Sequence, residues 1–155
     1  MANPLTPYQR TFSNWLSEYH FKTFGTFTTK QSLTLEGARR MAGNFGHWIQ
    51  AGKESTMFWA AEPFDTREGY HFHALLNTNI SNHEMWDYWT NKKQFGRSSF
   101  IEIHRKLGSK DQIENYCSKY ITKRLADYDL YAGGSFLERS TGLPEKPAYI
   151  TNYHL

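Results

Sequence analysis

Two apolar runs decide the fold: Met57-Phe-Trp-Ala-Ala-Glu62 and Tyr70-His-Phe-His-Ala-Leu-Leu-Asn77. The segment between them, residues 63–69, reads Pro-Phe-Asp-Thr-Arg-Glu-Gly and has the composition of a polar turn. Pro63 ends the first run, since proline cannot donate to a strand ladder. The stretch 57–77 is therefore predicted to form a β-hairpin.

The segments on either side of this hairpin predict alternating helices and strands. Thr34 is a good N-cap for the second helix, and Ser81 with Glu84 is a capping box for the third. Four helices are predicted over about 7–20, 35–50, 82–93 and 110–126, and two further strands over 22–29 and 100–104. Without the first helix, the order is βαββαβ, the ferredoxin-like arrangement. We therefore predict an α+β fold: a ferredoxin-like or RRM-like antiparallel sheet with helices packed on one face, plus an N-terminal helix.

The length of 155 residues suits one domain with a single core. We place that domain at residues 1–126. The remainder, 127–155, is expected to be a C-terminal extension or a linker, because it contains Gly133-Gly134, Pro144 and Pro147.

The amino-acid composition limits the binding partners and the cellular compartment that we expect for this protein. Aromatic residues make up 17% of the chain, more than a core requires, which favours a surface that stacks on nucleobases. The net charge of +3 fits a local positive groove, and it fits an ordinary surface equally well. The single cysteine, Cys117, excludes a disulfide framework. No apolar run approaches the ~18 residues of a membrane span. We expect no membrane association and a cytoplasmic protein, or a nuclear one if its host is a eukaryote.

The spacing of His71 and His73 on a predicted strand indicates a metal site. Alternate residues of a strand share a face, so the two imidazoles should lie side by side. Glu62 ends the paired strand and is the best candidate for a third, oxygen ligand, which would suit Mn²⁺ or Mg²⁺. The alternative is two half-exposed histidines that bind no metal.

The last predicted helix carries two tyrosines and two lysines at helical spacing. Tyr116 and Tyr120 are one turn apart, as are Lys119 and Lys123. A phenol is a poor nucleophile at neutral pH, but a metal-polarised phosphate and nearby lysines would let it attack. The alternative is that both tyrosines only pack, which is the usual fate of a helical tyrosine.

These segments resemble the HUH endonuclease superfamily, the rolling-circle replication initiators of small plasmids, phages and circular single-stranded DNA viruses. Phe24-Gly-Thr-Phe-Thr-Thr29 looks like the first motif of that family, which is loose. His71-Phe-His73 is similar to its His–hydrophobic–His motif, and Tyr116-Cys-Ser-Lys119 to its Tyr-x-x-Lys motif. The resemblance covers about residues 22–124.

The resemblance implies a sequence-specific endonuclease that nicks and rejoins single-stranded DNA through a 5′-phosphotyrosine. Tyr116 would be the nucleophile and Lys119 its electrostatic helper, with Glu62, His71 and His73 holding Mn²⁺ or Mg²⁺. Tyr120 is a possible second nucleophile. For DNA contacts we expect Thr26, Thr28, Arg105 and Lys123.

The implied partners are single-stranded DNA at an origin hairpin and nick site, a host helicase and a DNA polymerase. The chain shows no room for a helicase domain, so it would be an excised nuclease domain or an initiator that recruits a helicase. Two rivals stay open: a single-tyrosine transposase of the same superfamily, and a non-catalytic module that binds single-stranded nucleic acid on an RRM-like sheet.

Overall fold

An antiparallel sheet organises the molecule. The computed structural model describes residues 4–51, 55–103, 109–122, 124–132 and 135–136. Within them the strands are β1 (Thr23–Phe27), β2 (Thr56–Pro63), β3 (Tyr70–Asn77), β4 (Ser98–Glu102), β5 (Asp127–Ala132) and β6 (Ser135–Phe136). The α-helices are α1 (Pro7–Leu16), α2 (Leu35–Gln50), α3 (Asn82–Trp86) and α4 (Ser109–Tyr120).

The strands lie in the order β4-β1-β3-β2-β5-β6, and each neighbouring pair is antiparallel. The first four strands, with α2 and α3 as connections, have the order of the split βαβ arrangement. The predicted α+β class, the antiparallel ferredoxin-like sheet and the additional N-terminal helix are confirmed.

Side-chain caps fix where the helices begin. Thr6, Thr34 and Ser81 each accept a hydrogen bond from the backbone N–H three residues later, and Thr6 forms a full capping box with Gln9. Helix α2 has the predicted bounds. Helix α1 ends at Leu16 and continues as a 3₁₀ turn over Ser17–Tyr19, and α3 continues as a π-helical turn over Asp87–Lys92. No helix within the described part of the chain is long and apolar enough to cross a membrane.

Both faces of the sheet carry helices. One core cluster joins α2 and α3 to one face, through side chains such as Phe45, Trp59 and Phe72. The other joins α1 and α4 to the opposite face, through side chains such as Phe12 and Phe58. The sequence analysis expected helices on one face. The difference arises because residues 57–61 of β2 are apolar at every position, so both faces of that strand must be covered.

On the α1/α4 face the helices cover only part of the sheet. Thr26 of β1, and Ser99 and Ile101 of β4, lie on this face and are exposed. We call these three residues the open half of the sheet.

Strand β5 begins where the sequence analysis placed the C-terminal extension. It pairs with β2, and Tyr128 and Leu130 are buried in the α1/α4 cluster. On the other face Asp127 and Asp129 are buried, and Arg39 of α2 lies 2.9 Å from Asp127 Oδ2. Residues 127–132 are therefore part of the sheet, and residues 137–155 lie outside the described residues.

Candidate functional site

The pairing of β2 with β3 brings the three predicted metal ligands to one face. Glu62 is directly opposite His71, and His73 is opposite Ala60, two positions along. Because strand side chains alternate, Glu62, His71 and His73 all point to the α1/α4 face. The hairpin therefore brings together the three residues that the sequence analysis grouped.

Unsatisfied polar atoms mark this cluster. His73 is 2% exposed, and its Nε2 lies 3.6 Å from Glu62 Oε1, too far for a hydrogen bond. His73 Nε2, Glu62 Oε1 and His71 Nδ1 are buried without a hydrogen-bond partner among the described residues. Buried polar groups are normally paired, so three unpaired ones in a single cluster indicate a missing partner.

Burial sets the protonation of both histidines. It lowers the pKa of His73, and the nearby Glu62 carboxylate opposes this only in part. The pKa of His71 is also lowered, mainly by burial, with Glu62 raising it and Arg67 lowering it further. Both imidazoles are therefore neutral at pH 7, which is the form that binds a metal.

The donor set fits a divalent cation by chemistry. Two neutral imidazoles and one carboxylate offer the nitrogen and oxygen ligands of first-row cations, and each has an unsatisfied buried atom. The described residues nevertheless contain no ready-formed group of three or more His, Cys, Asp or Glu donors at metal-binding geometry. Side-chain adjustment would be needed for all three to reach one ion.

Tyr116 of α4 contacts this cluster directly. Its hydroxyl lies 2.7 Å from His73 Nδ1, and the side chain is buried. Burial raises the pKa of Tyr116 well above its ordinary value, with smaller contributions from Cys117, Glu62 and Tyr120. The two ring nitrogens of His73 thus face two different groups, Tyr116 through Nδ1 and Glu62 through Nε2.

The group bound at His73 Nε2 would decide whether Tyr116 or His73 donates the hydrogen bond between them. If Nε2 carries the hydrogen, the phenol donates to Nδ1. If Nε2 is a metal ligand, Nδ1 carries the hydrogen and donates to the phenolic oxygen. In the second arrangement His73 stabilises a phenolate.

Tyr120 meets the cluster through its ring. The centroids of Tyr120 and His73 are 4.5 Å apart, and Tyr120 stacks on Phe24 with centroids 5.2 Å apart. Only Tyr116 among these tyrosines has its hydroxyl hydrogen-bonded to His73 in the described residues. The geometry therefore distinguishes Tyr116, the predicted nucleophile, from Tyr120, the possible second one.

The remaining predicted site residues are placed differently. Lys119 is exposed on α4, and Thr26 is exposed and paired with His73 across β1 and β3. Thr28 is held by the main chain of Arg97: its hydroxyl donates to the carbonyl and accepts from the N–H. Arg105 and Lys123 lie outside the residues that the structure describes.

The sequence analysis missed Arg67 in the hairpin turn. Its guanidinium lies 4.0 Å from the centroid of the Phe64 ring, and that ring is 4.8 Å from the ring of His71. Arg124 steadies the same turn through the carbonyls of Pro63 and Phe64 and an ion pair with Asp65. Arg67 lies in the turn between β2 and β3, the strands that carry the predicted ligands. That position was the sequence signal that could have identified it.

Comparisons with known protein families, with curated protein sequences and with solved structures find no match. The resemblance to HUH endonucleases therefore rests on the three motifs alone and stays a prediction.

Proposed function

We propose that this protein nicks and rejoins single-stranded DNA, with Tyr116 as nucleophile. The observation that carries the proposal is the 2.7 Å contact between the Tyr116 hydroxyl and His73 Nδ1, beside Glu62 and His71. A phenol, two neutral imidazoles and a carboxylate with unsatisfied atoms are a combination that packing alone does not require.

In the cleavage step the Tyr116 oxygen attacks the scissile phosphorus and the bond from phosphorus to the 3′-oxygen breaks. The products are a 5′-phosphotyrosine and a 3′-hydroxyl strand, with the phenol proton lost to solvent and one taken up by the 3′-oxygen. With a cation on Nε2, the Nδ1–H of His73 would stabilise the developing phenolate, which burial otherwise disfavours. A divalent cation held by Glu62, His71 and His73 would polarise the phosphate.

Two side-chain cations lie near this cluster. Lys119 follows Tyr116 by one turn, and Arg67 is close enough to lower the pKa of His71. Each can neutralise phosphate charge, Lys119 as a point charge and Arg67 as a bidentate donor.

The single-stranded DNA would lie across the open half of the sheet, beside Tyr116. Thr26 and Ser99 offer hydroxyl groups, and Ile101 is 58% exposed and offers an apolar contact. Together with stacking on the neighbouring Phe24 and Tyr120 rings, such contacts suit unpaired nucleotides better than a duplex.

Rejoining is the same displacement in reverse. A 3′-hydroxyl attacks the phosphotyrosine and releases Tyr116, so the energy of the phosphate bond is conserved and no nucleotide triphosphate is needed. Such chemistry would serve the initiation and termination of rolling-circle replication at an origin hairpin, together with a host helicase and a polymerase. A single-tyrosine transposase would use the same step.

A non-catalytic nucleic-acid-binding module is the second candidate. It is favoured by the aromatic cluster of Phe24, Tyr116 and Tyr120. Its binding to single strands would be independent of metal.

The test is adduct formation with a pool of labelled random single-stranded oligonucleotides and Mn²⁺. We expect a band that survives denaturant, that disappears with EDTA and in Tyr116→Phe, and that persists in Tyr120→Phe. Metal-independent binding without any adduct would favour the binding module instead.

A further inference from the structure

A cavity of about 260 Å³ opens beside Tyr116, between α4 and strands β1 and β4. Its lining includes Phe24, Ile101, Gln112, Asn115, Lys119 and Tyr120. Tyr116 also lines it, so a ligand in the cavity would lie next to the proposed nucleophile.

The inner wall of the cavity is flat and apolar. Phe24 and Tyr120 stack at an interplanar angle of 30°, and both side chains are only half-buried. Ile101 is 58% exposed, an unusual degree for a large aliphatic side chain on a strand. Such a wall suits a planar aromatic ligand that stacks on one face.

The rim of the cavity is polar: Glu102 of β4 contributes a carboxylate, and the other polar side chains lie on one face of α4. Gln112 and Asn115 are three residues apart, and Lys119 follows Asn115 by four. Each amide supplies a donor and an acceptor, which is what reading the edge of a base requires. The ammonium of Lys119 supplies a contact for the phosphate.

We propose that this cavity is a specificity pocket for one nucleobase adjacent to the scissile phosphate. The inference rests on the proposed function, because the phosphate beside the pocket is the one that Tyr116 would attack. The base stacks on the wall formed by Phe24, Tyr120 and Ile101, and Gln112 and Asn115 hydrogen-bond to its edge. Adenine binds most tightly, since the Asn or Gln amide pairs with it through two hydrogen bonds.

Binding is tested without any cleavage by titrating the intact protein with dAMP while following the side-chain amide signals of Gln112 and Asn115. Deoxyribose 5′-phosphate is the probe that lacks a base. We expect dAMP to shift both amide signals and the base-free probe to shift neither. Equal shifts from the two probes, or none from either, would overturn the inference.

Asn115→Leu removes the amide and keeps the branched shape of the side chain, and Asn44→Leu is the matched control, exposed on α2 across the sheet. We expect Asn115→Leu to weaken dAMP binding at least tenfold and Asn44→Leu to leave it unchanged. Equal effects of the two variants would contradict a pocket built on α4.

Abasic substitution along the nicked oligonucleotide separates the inference from the proposed function. We expect one abasic position flanking the nick to slow adduct formation at least tenfold, and this penalty to vanish in Asn115→Leu. An adduct with no position-specific penalty would overturn the pocket and leave the nuclease intact. Base-dependent dAMP binding without any adduct would overturn the nuclease and leave a base-binding site.

Discussion

His73 is the residue that joins the two halves of the candidate site. It is almost fully buried, and its two nitrogens face Tyr116 and Glu62. The His73 ring therefore links the proposed nucleophile to the proposed metal site. Binding of a metal at one ring nitrogen determines whether the other nitrogen carries the hydrogen.

Glu62→Gln should separate metal binding from folding. The amide has the shape of the carboxylate, and Glu62 Oε1 is buried without a hydrogen-bond partner among the described residues, so removal of the charge should leave the fold intact. We expect Mn²⁺ binding to weaken at least about tenfold, because a hard anionic ligand is lost. Titration calorimetry measures the affinity, with Glu36→Gln on α2 as the control. Unchanged Mn²⁺ affinity in Glu62→Gln would remove Glu62 from the site.

Cys117 gives a prediction for alkaline pH. Burial raises the pKa of its thiol to about 12, with Glu114 adding to the effect. Above about pH 8.5 the unfolded chain loses a proton that the folded protein keeps, so stability falls as pH rises. We expect urea denaturation between pH 8.5 and 10.5 to show a steeper loss in the wild type than in Cys117→Ala, by up to about 1.4 kcal/mol per pH unit. Parallel pH curves would contradict a buried, neutral thiol.

At the residue scale, strand alternation and hairpin pairing are sufficient to group Glu62, His71 and His73 from the sequence. The Tyr116–His73 contact was not predictable, because it depends on how α4 crosses β3. Phe24, the first residue of the loose first motif, is half-buried and lines the cavity, which the motif did not indicate.

Among the elements, the segment after the π-helical turn is the most tightly constrained. It is paired with the end of β1: the N–H of Thr28 donates to the Arg97 carbonyl, and that of Lys30 to the Phe95 carbonyl. A Cβ added at Gly96 would lie 2.3 Å from the Thr28 carbonyl oxygen. Only glycine allows the two backbones to approach this closely.

Gly96→Ala should therefore destabilise the protein by more than about 2 kcal/mol, since the nearby atoms are backbone and cannot move aside cheaply. Gln94→Gly is the control in the same segment: Gln94 has φ of 54°, where glycine is favoured. We expect its stability to stay within about 1 kcal/mol of the wild type. Thermal unfolding compares the two, and a similar melting temperature for Gly96→Ala and the wild type would refute the close approach.

A helix or strand was predicted correctly where the sequence signals for it lie within the element itself. The bounds of α2 follow from the Thr34 cap and the apolar period after it. The last helix was predicted to reach 126 but ends at Tyr120, before the β-branched Ile121 and Thr122. Strand β5 was not predicted, because aspartate is rare in strands and the burial of Asp127 beside Arg39 exists only in the folded protein.

For the whole molecule, the important feature is the unequal cover of the sheet. Helices α2 and α3 cover one face, whereas α1 and α4 leave the open half of the other face exposed. The candidate site lies at the border of these regions, with α4 on one side and β1 on the other. In the proposed function, this position would place the cluster beside a bound DNA strand.

Truncation tests the extent of the domain. A chain ending at residue 126 lacks β5, and with it the buried Tyr128 and Leu130. We expect this chain to unfold or to lose several kcal/mol of stability, because two large core side chains are removed. A chain ending at residue 136 should retain cooperative unfolding in urea. Equal stability of the two truncated chains would place the domain boundary at 126 after all.

The central claim, that Tyr116 becomes covalently joined to DNA, is tested most directly by mapping the adduct. The protein–DNA product is digested with nuclease and protease, and mass spectrometry locates the residual nucleotide on the peptide. We predict a 5′-phosphate linkage on Tyr116, with none on Tyr120. A nucleotide on Tyr120 or on any other residue would contradict the claim.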